Sequence, residues 1–330
     1  MLARVPRPSP AAARQLVNLA ALLIIMAIMA SLSPEFLTTD GIANLLRQVA
    51  VVITVGGFFT MLMVAGGLDL SVGAVIALAG IVSVSLSNAG LPLPAAFAAA
   101  IVVGAGVGLI NGFLVAVVGV NALIVTLGMM YVARGLSLVA GEGRAIAAHD
   151  PGYAWLGNGM AGPVAVMVIA GLIALVIALI LERRLLFGRY TVLVGTNPKA
   201  ARLSGTPVRG TLIAAFVLTG AAAGWAGVLF SSRMGAAVSK AGLGFEFDVI
   251  IAALIGGTSL FGGEGRIIGT VLGALIVGSA TTGMNMIGVE PFVQRVMLGV
   301  VLLSAVGLDA IVRSRRDRPV RRVTAKVAQT

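Results

Sequence analysis

Ten stretches of nearly uninterrupted apolar residues divide the 330-residue chain, at 16–32, 42–65, 70–86, 95–118, 122–140, 160–181, 211–231, 248–260, 267–287 and 292–312. A helix that crosses the hydrocarbon of a bilayer needs about 20 such residues, with a working range of ~17–25, and all but one of these runs fall in it. The exception, 248–260, is short and Gly-rich at its end, which suits a half-helix. In lipid every backbone N–H and C=O must be satisfied within the protein, so continuous apolar runs fold as helices. The expected class is all-α: a polytopic integral membrane protein of about ten transmembrane helices with broken or re-entrant segments. Composition agrees, with 59% hydrophobic and 11% charged residues and a mean hydropathy of +1.07. A soluble domain carries about 25% charged residues.

The net charge of +11 sits at the ends of the runs instead of along one face with aromatics, which argues against nucleic acid. With a cytoplasmic N-terminus, seventeen of the 23 Lys and Arg fall inside: Arg4, Arg7, Arg14, six between Arg183 and Arg209, Arg266, and seven between Arg313 and Lys326. The others, Arg47, Arg134, Arg144, Arg233, Lys240 and Arg295, fall outside. This bias follows the positive-inside rule, and an even number of crossings leaves both termini cytoplasmic. The first run is longer than a signal-peptide core and lacks a small-x-small cleavage site, so it reads as a retained anchor. The organisation expected is a basic cytoplasmic segment (1–15), one transmembrane domain (16–312) with a cytoplasmic loop at about 182–210, and a basic cytoplasmic tail (313–330) suited to lipid headgroups.

Glycine numbers 44 and sits inside the runs as well as in turns. Gly104/Gly108/Gly112, Gly220/Gly224 and Gly269/Gly273 each share one helix face, which lets backbones approach closely. Ionisable groups inside the runs are few. Asp69 follows Gly66-Gly67 and precedes Ser71. The glycines break a helix, and Asp69 and Ser71 then cap the next by accepting N–H bonds. The same break can line a path for a polar solute, with Asn111 and Asn121 as further polar groups. Glu246 and Asp248 flank the next run at its outer end, where interfacial anchoring explains them. Asn285 and Thr281-Thr282 suit either a hydroxyl-rich solute or interhelical hydrogen bonds. His149, the only histidine, lies beside Asp150 in an outer loop and reads as solvated.

No lysine follows a glycine, so the phosphate loop G-x-x-x-x-G-K-[ST] is missing, and the Gly-rich stretch 256–269 contains no lysine. A proton- or sodium-coupled carrier would show buried charges along its path, and Asp69 is nearly the only candidate. Energy therefore enters from outside the chain, and the polar, basic loop 185–210, with a short helix from Pro198 to Ser204, is where a soluble partner can act. Intramembrane hydrolysis needs a nucleophile and a base on facing spans, which the loop histidine does not supply. A membrane scaffold is the remaining alternative.

Four blocks in order, GGLDLSVGAVIALAG from Gly66, NGFLVAVVGVNALIVTLGMMYVARGL from Asn111, FGRYTVLVGTNPKAARLSGTPV from Phe187 and FEFDVIIAALIGGTSLFGGEGRIIGTVLGALIVG from Phe245, resemble the permease subunit of bacterial ABC sugar importers of the ribose/xylose/galactose type. The resemblance covers about Asn44 to Asp309, including EPFVQRVMLGVVLLSAVGLD from Glu290. It implies that Gly195, Asn197, Ala200, Ala201, Ser204 and Gly205 form the coupling segment that docks on a cytoplasmic ABC ATPase, which holds the ATP and Mg; no cofactor is expected in this chain. It also implies a periplasmic solute-binding protein, a homodimer or heterodimer of permease subunits, an inner-membrane location, and helix-break or path-lining roles for Gly66, Gly67, Asp69 and Ser71. Val120-Asn121-Ala122 departs from the family's usual Pro or Phe there. Aromatics total 5%, few for a site that stacks sugars, so a nucleoside, a polyol or a branched-chain amino acid stays open beside a pentose or hexose.

Overall fold

The computed structural model describes residues 10–316, so most of the expected basic terminal segments, 1–15 and 313–330, lies outside the described residues. Every apolar run becomes a helix. In chain order these are α1 (Pro10–Leu32), α2 (Thr39–Val64), α3 (Val72–Asn88), α4 (Leu93–Phe113) and α5 (Ala122–Ala140). After the short α6 (Pro151–Asn158) come α7 (Val166–Arg183), α8 (Leu186–Thr196), α9 (Pro198–Leu203) and α10 (Val208–Met234). The chain closes with α11 (Phe245–Ile255), α12 (Ile267–Met286) and α13 (Pro291–Arg316). Among the described residues seven helices are long and apolar enough to cross a membrane, so the protein is a helical, multi-pass membrane protein.

Two expected boundaries move, for local reasons. The run 160–181 starts its helix only at Val166, because Gly162 (φ +62°) and Pro163 first fold 160–165 into a two-strand hairpin, β1 (Met160–Ala161) with β2 (Val164–Ala165). The run 248–260 becomes an α11 of 11 residues that ends where Gly256-Gly257 begins.

Side-chain contacts identify the two ends of the bundle. At one end Glu182, closing α7, accepts a bond from the N–H of Ile267, the first residue of α12 (2.8 Å). This end carries α8 and α9 and is called the basic end. At the far end Asn88 donates to Ala147 (2.8 Å) and accepts from the His149 N–H (3.0 Å), while the strand Ile146–Ala147 pairs with Ala236–Ala237. Asp150 caps α6 by accepting from Gly152. Asn158 ties α6 to the last turn of α10 through the carbonyls of Ser232 and Arg233.

The bundle is held by small residues, as expected where lipid is the solvent and no hydrophobic effect draws helices together. A Cβ on Gly104 would meet the Gly220 carbonyl, and one on Gly224 the Ala100 carbonyl, so α4 and α10 touch backbone to backbone. Gly273 lies in the same way on Ala252, and Gly269 on Gly256, which sets α11 antiparallel to α12. Around them, α2, α3, α10 and α11 bury the largest apolar cluster, centred on Phe59, Val75, Leu229 and Val249.

The helices differ sharply in reach. The 26 residues of α2 and 27 of α10 rise about 40 Å each, whereas the 17 of α3 rise about 25 Å and the 11 of α11 about 16 Å. The two short helices are each preceded by non-helical chain inside the bundle, at 65–71 and 238–244.

Candidate functional site

Where α2 ends, Gly66 takes a left-handed conformation (φ +84°) and the Gly67 N–H returns to the Leu62 carbonyl, the usual helix stop. The chain then turns back, and Asp69 Oδ1 accepts from both the backbone N–H (2.8 Å) and the hydroxyl (2.5 Å) of Ser71. Asn111 on α4 donates to the Asp69 carboxylate at 3.4–3.5 Å and to the Ser71 hydroxyl at 3.1 Å. Asp69 is 1% exposed, Ser71 and Asn111 0%. Asp69 thus acts at the start of α3 as its sequence suggests, but the Ser71 hydroxyl donates to Asp69 and makes no cap of its own. The structure brings Gly66, Gly67, Asp69, Ser71 and Asn111 together. Asn121 stands apart, capping α5 through the Leu123 N–H (2.9 Å) at an exposed position.

The second break mirrors the first. From the far end, residues 238–244 run down beside α5, whose Arg134 donates to the carbonyls of Ser239 (2.6 Å) and Ala241 (2.8 Å). Ser239 in turn donates to the Ser137 carbonyl (3.0 Å). One side chain on α5 so satisfies carbonyls that no helix or sheet ladder reaches, a requirement inside lipid. Gly244 (φ +85°) then starts α11, and continuing the Gly273–Ala252 register brings Phe245 level with Ala280, about two-thirds of the way along α12. A Cβ on Gly73, in the first turn of α3, would collide with the Gly242 carbonyl and the Glu246 carboxylate. The N-termini of α3 and α11 therefore meet inside the bundle. The sequence places Glu246 and Asp248 at an outer interface; the structure sets them deeper because the chain descends before its helix begins.

At the basic end, Asn197 caps α9 by accepting from Lys199 and Ala200 (3.1 Å each), confirming a short helix nearly as long as expected. Ala200, Ser204 and Gly205 are exposed, and Leu203 is 90% exposed. Ala201 points inward, buried with Val194 and Val208. Gly195 also faces inward. A Cβ there would overlap the Val64 carbonyl, at the end of α2, and crowd Gly263. The Gly263 N–H donates to that same carbonyl (2.8 Å), and Gly262 packs on Gly66. Three chain reversals, after α2, after α8 and after α11, are pinned together by glycine-to-backbone contact. The α8–α9 hairpin thus packs directly on the first break and on the chain that follows α11, at the opposite end of that helix from residues 238–244.

Two cavities flank these elements. One, of about 700 Å³, opens at the basic end beside Glu182, Arg183, Arg189 and Arg266. The other, of about 650 Å³, lies between α2, α11, α12 and α13, next to the second break. Its polar lining includes Gln48, Asp248 and Gln294, of which Gln48 and Gln294 drew no notice in the sequence. A glutamine on an otherwise apolar face, as Gln48 is among Val49, Val51 and Val52, was the available signal.

Residues 41–306 match the family model described as branched-chain amino acid transport system / permease component. The chain is 40% identical over 295 residues to the D-allose transport system permease protein AlsC of Escherichia coli (strain K12), covering 88% of this chain and 90% of that protein. It is 38% identical over 297 residues to the ribose import permease protein RbsC of the same organism, covering 88% and 92%. It is 35% identical over 316 residues to the L-arabinose ABC transporter permease protein AraH of Azospirillum brasilense, covering 93% of each. No solved structure matches.

Proposed function

Because the chain belongs to the family of branched-chain amino acid transport system permease components, we propose that it is the translocation subunit of an ABC importer that moves a monosaccharide, a pentose or hexose, inward across the cell inner membrane. The basic end faces the cytoplasm and both termini lie on that side, in keeping with the six Lys and Arg from Arg183 to Arg209. A separate ATPase binds ATP and Mg and docks on the α8–α9 hairpin, and a periplasmic binding protein delivers the solute at the far end. Two permease subunits, alike or different, complete the pore.

One observation carries the reading: the hairpin is exposed at its tip, yet its Gly195 packs on the end of α2, where the first break begins, and on the chain that follows α11. A detached loop would bind a partner without moving anything. The sugar names of the relatives support the cargo. A branched-chain amino acid is the second reading, favoured by the family's description.

The test pairs two variants, co-expressed with the ATPase. Leu203→Asp adds charge to an exposed tip without touching the core, and is expected to abolish copurification of the ATPase. Gly195→Val leaves the tip intact, so copurification persists while uptake of D-allose or D-ribose is lost. Wild-type copurification and uptake in both variants would overturn the reading. Since the chain has no native cysteine, single cysteines at Leu203 and Trp155 report sidedness by labelling with an impermeant maleimide: Trp155 from outside, Leu203 only after permeabilisation.

A further inference from the structure

The cavity of about 650 Å³ beside α11 is assigned neither by the family match nor by the coupling segment. Its size falls in the ~300–1,000 Å³ range of small-molecule sites. Much of its polar lining is already held in place, with other valences left over. Gln48 on α2 donates to the Thr281 hydroxyl (2.8 Å) and accepts from Thr282 (2.9 Å), which fixes its amide against α12. Gln294 on α13 is 7% exposed and donates to Asn285 Oδ1 (2.7 Å) and the Val289 carbonyl (2.8 Å). That arrangement leaves the Asn285 N–H groups and the Gln294 carbonyl without a partner among the described residues. The Asp248 carboxylate likewise accepts no hydrogen bond among them, although it is only part-exposed.

The cavity carries charges of both signs. Asp248 lies within electrostatic reach of Arg295, and Glu246, also in the lining, within reach of Arg134. The lining itself holds two carboxylates, Glu246 and Asp248, and one guanidinium, Arg295, so it offers fixed acceptors and donors together, while Arg134 is turned to the carbonyls of Ser239 and Ala241. Amides add groups that do both. Each hydroxyl of a sugar donates one bond and accepts others, so it matches acceptor-only, donor-only and two-way groups arranged together. Apolar positions such as Val52 and Ile251 line the rest of the cavity and suit the C–H faces of a ring.

We propose that this cavity is the solute's binding station inside the bundle, a site for one neutral polyhydroxylated ring held by Gln48, Asp248, Asn285, Gln294 and Arg295. The assignment rests on the reading of the chain as a sugar-importer permease. Its position gives the station a role in transport. It abuts α11, whose start meets α3 and whose end runs into the glycine junction at Gly262-Gly263, so movement of the α8–α9 hairpin reshapes one wall of the site.

The experiment uses the full chain with its ATPase in cells, with labelled D-allose, D-ribose and L-leucine as probes. Gln48→Leu and Asn285→Leu are expected to lower uptake of the transported sugar by about tenfold or more, the effect of removing one or two hydrogen bonds to the bound solute, with ATPase copurification unchanged. Asp248→Asn keeps the shape and is expected to lower uptake less. A readout independent of turnover comes from Leu243→Cys, at an exposed residue of the lining: saturating sugar slows its reaction with maleimide. Wild-type uptake in both leucine variants, or labelling of Leu243→Cys unaffected by a sugar that the wild type transports, overturns the site while leaving the permease reading intact. Protection and uptake with L-leucine in place of both sugars overturns the solute class. Copurification of the ATPase with no uptake of any of the three solutes by the wild type counts against the sugar-importer reading itself, and the site falls with it.

Discussion

The two helix breaks use the same device and finish it differently. Each puts glycine at a chain reversal, leaves several residues without a ladder, and begins a short helix inside the bundle near a carboxylate. At α3 the carboxylate of Asp69 is closed off by Ser71 and Asn111 and is 1% exposed. At α11 the backbone carbonyls are satisfied by Arg134, and Asp248 is left facing a cavity. A carboxylate enclosed by donors belongs to the architecture, since removing one partner strands a buried charge. A carboxylate without donors beside open volume is available to something else.

That contrast is most exposed to breakage at Asp69. Asp69→Leu should cost several kcal/mol, because it removes the acceptor for the Ser71 N–H and hydroxyl in a dry site, with about 1–3 kcal/mol for each stranded group. It should appear as loss of folded protein in detergent, measured by size exclusion and thermal unfolding. Asp69→Asn keeps one acceptor oxygen and should recover most of the yield. Equal yield from Asp69→Leu and wild type would show that the first break is not sealed by its polar cluster. Arg134→Leu comes next. It strands the carbonyls of Ser239 and Ala241, so hydrogen exchange of residues 235–244 should accelerate while that of 65–71 stays put. Exchange rising equally at both breaks would mean that they form one unit. The smallest effect is expected at Asn121→Ala, which loses a cap worth about 1 kcal/mol at an exposed position. Uptake should stay at the wild-type level; a loss of uptake there would extend the solute's path to α5.

The spans were legible in the sequence because a bilayer imposes its demand locally. Roughly 20 apolar residues in a row suffice, and even the shortened α11 and the α9 helix behind Asn197 followed from neighbouring residues. The paired glycine faces were equally visible, although the identity of each partner was not. What escaped were contacts made across the sequence. Gln48 meets Thr281 from 233 positions away, and Arg134 reaches Ala241 across 107. No periodicity records which apolar face meets which. The inward aim of Ala201 and Gly195 was hidden for the same reason: small residues in a polar loop look alike whether they face a partner protein or the bundle. Asp69 drew attention because it follows two glycines, a signal of helix breakage that says nothing of solvent access. Asp248 looked like an ordinary end-of-span acid because the descent of residues 238–244 could not be foreseen.

The unequal helix lengths carry one more consequence. At about 40 Å, α2 and α10 outreach a hydrocarbon layer of about 30 Å, whereas α11 covers only about half of it. No single bilayer thickness fits them all, so the long helices lean or the lipid around them stretches. Since α2 ends at one break and α10 packs along α3, their lean sets the height at which the two short helices face each other. Acyl-chain length thereby becomes a variable of this protein's activity: the same chain reconstituted in thinner and thicker membranes should turn over at different rates.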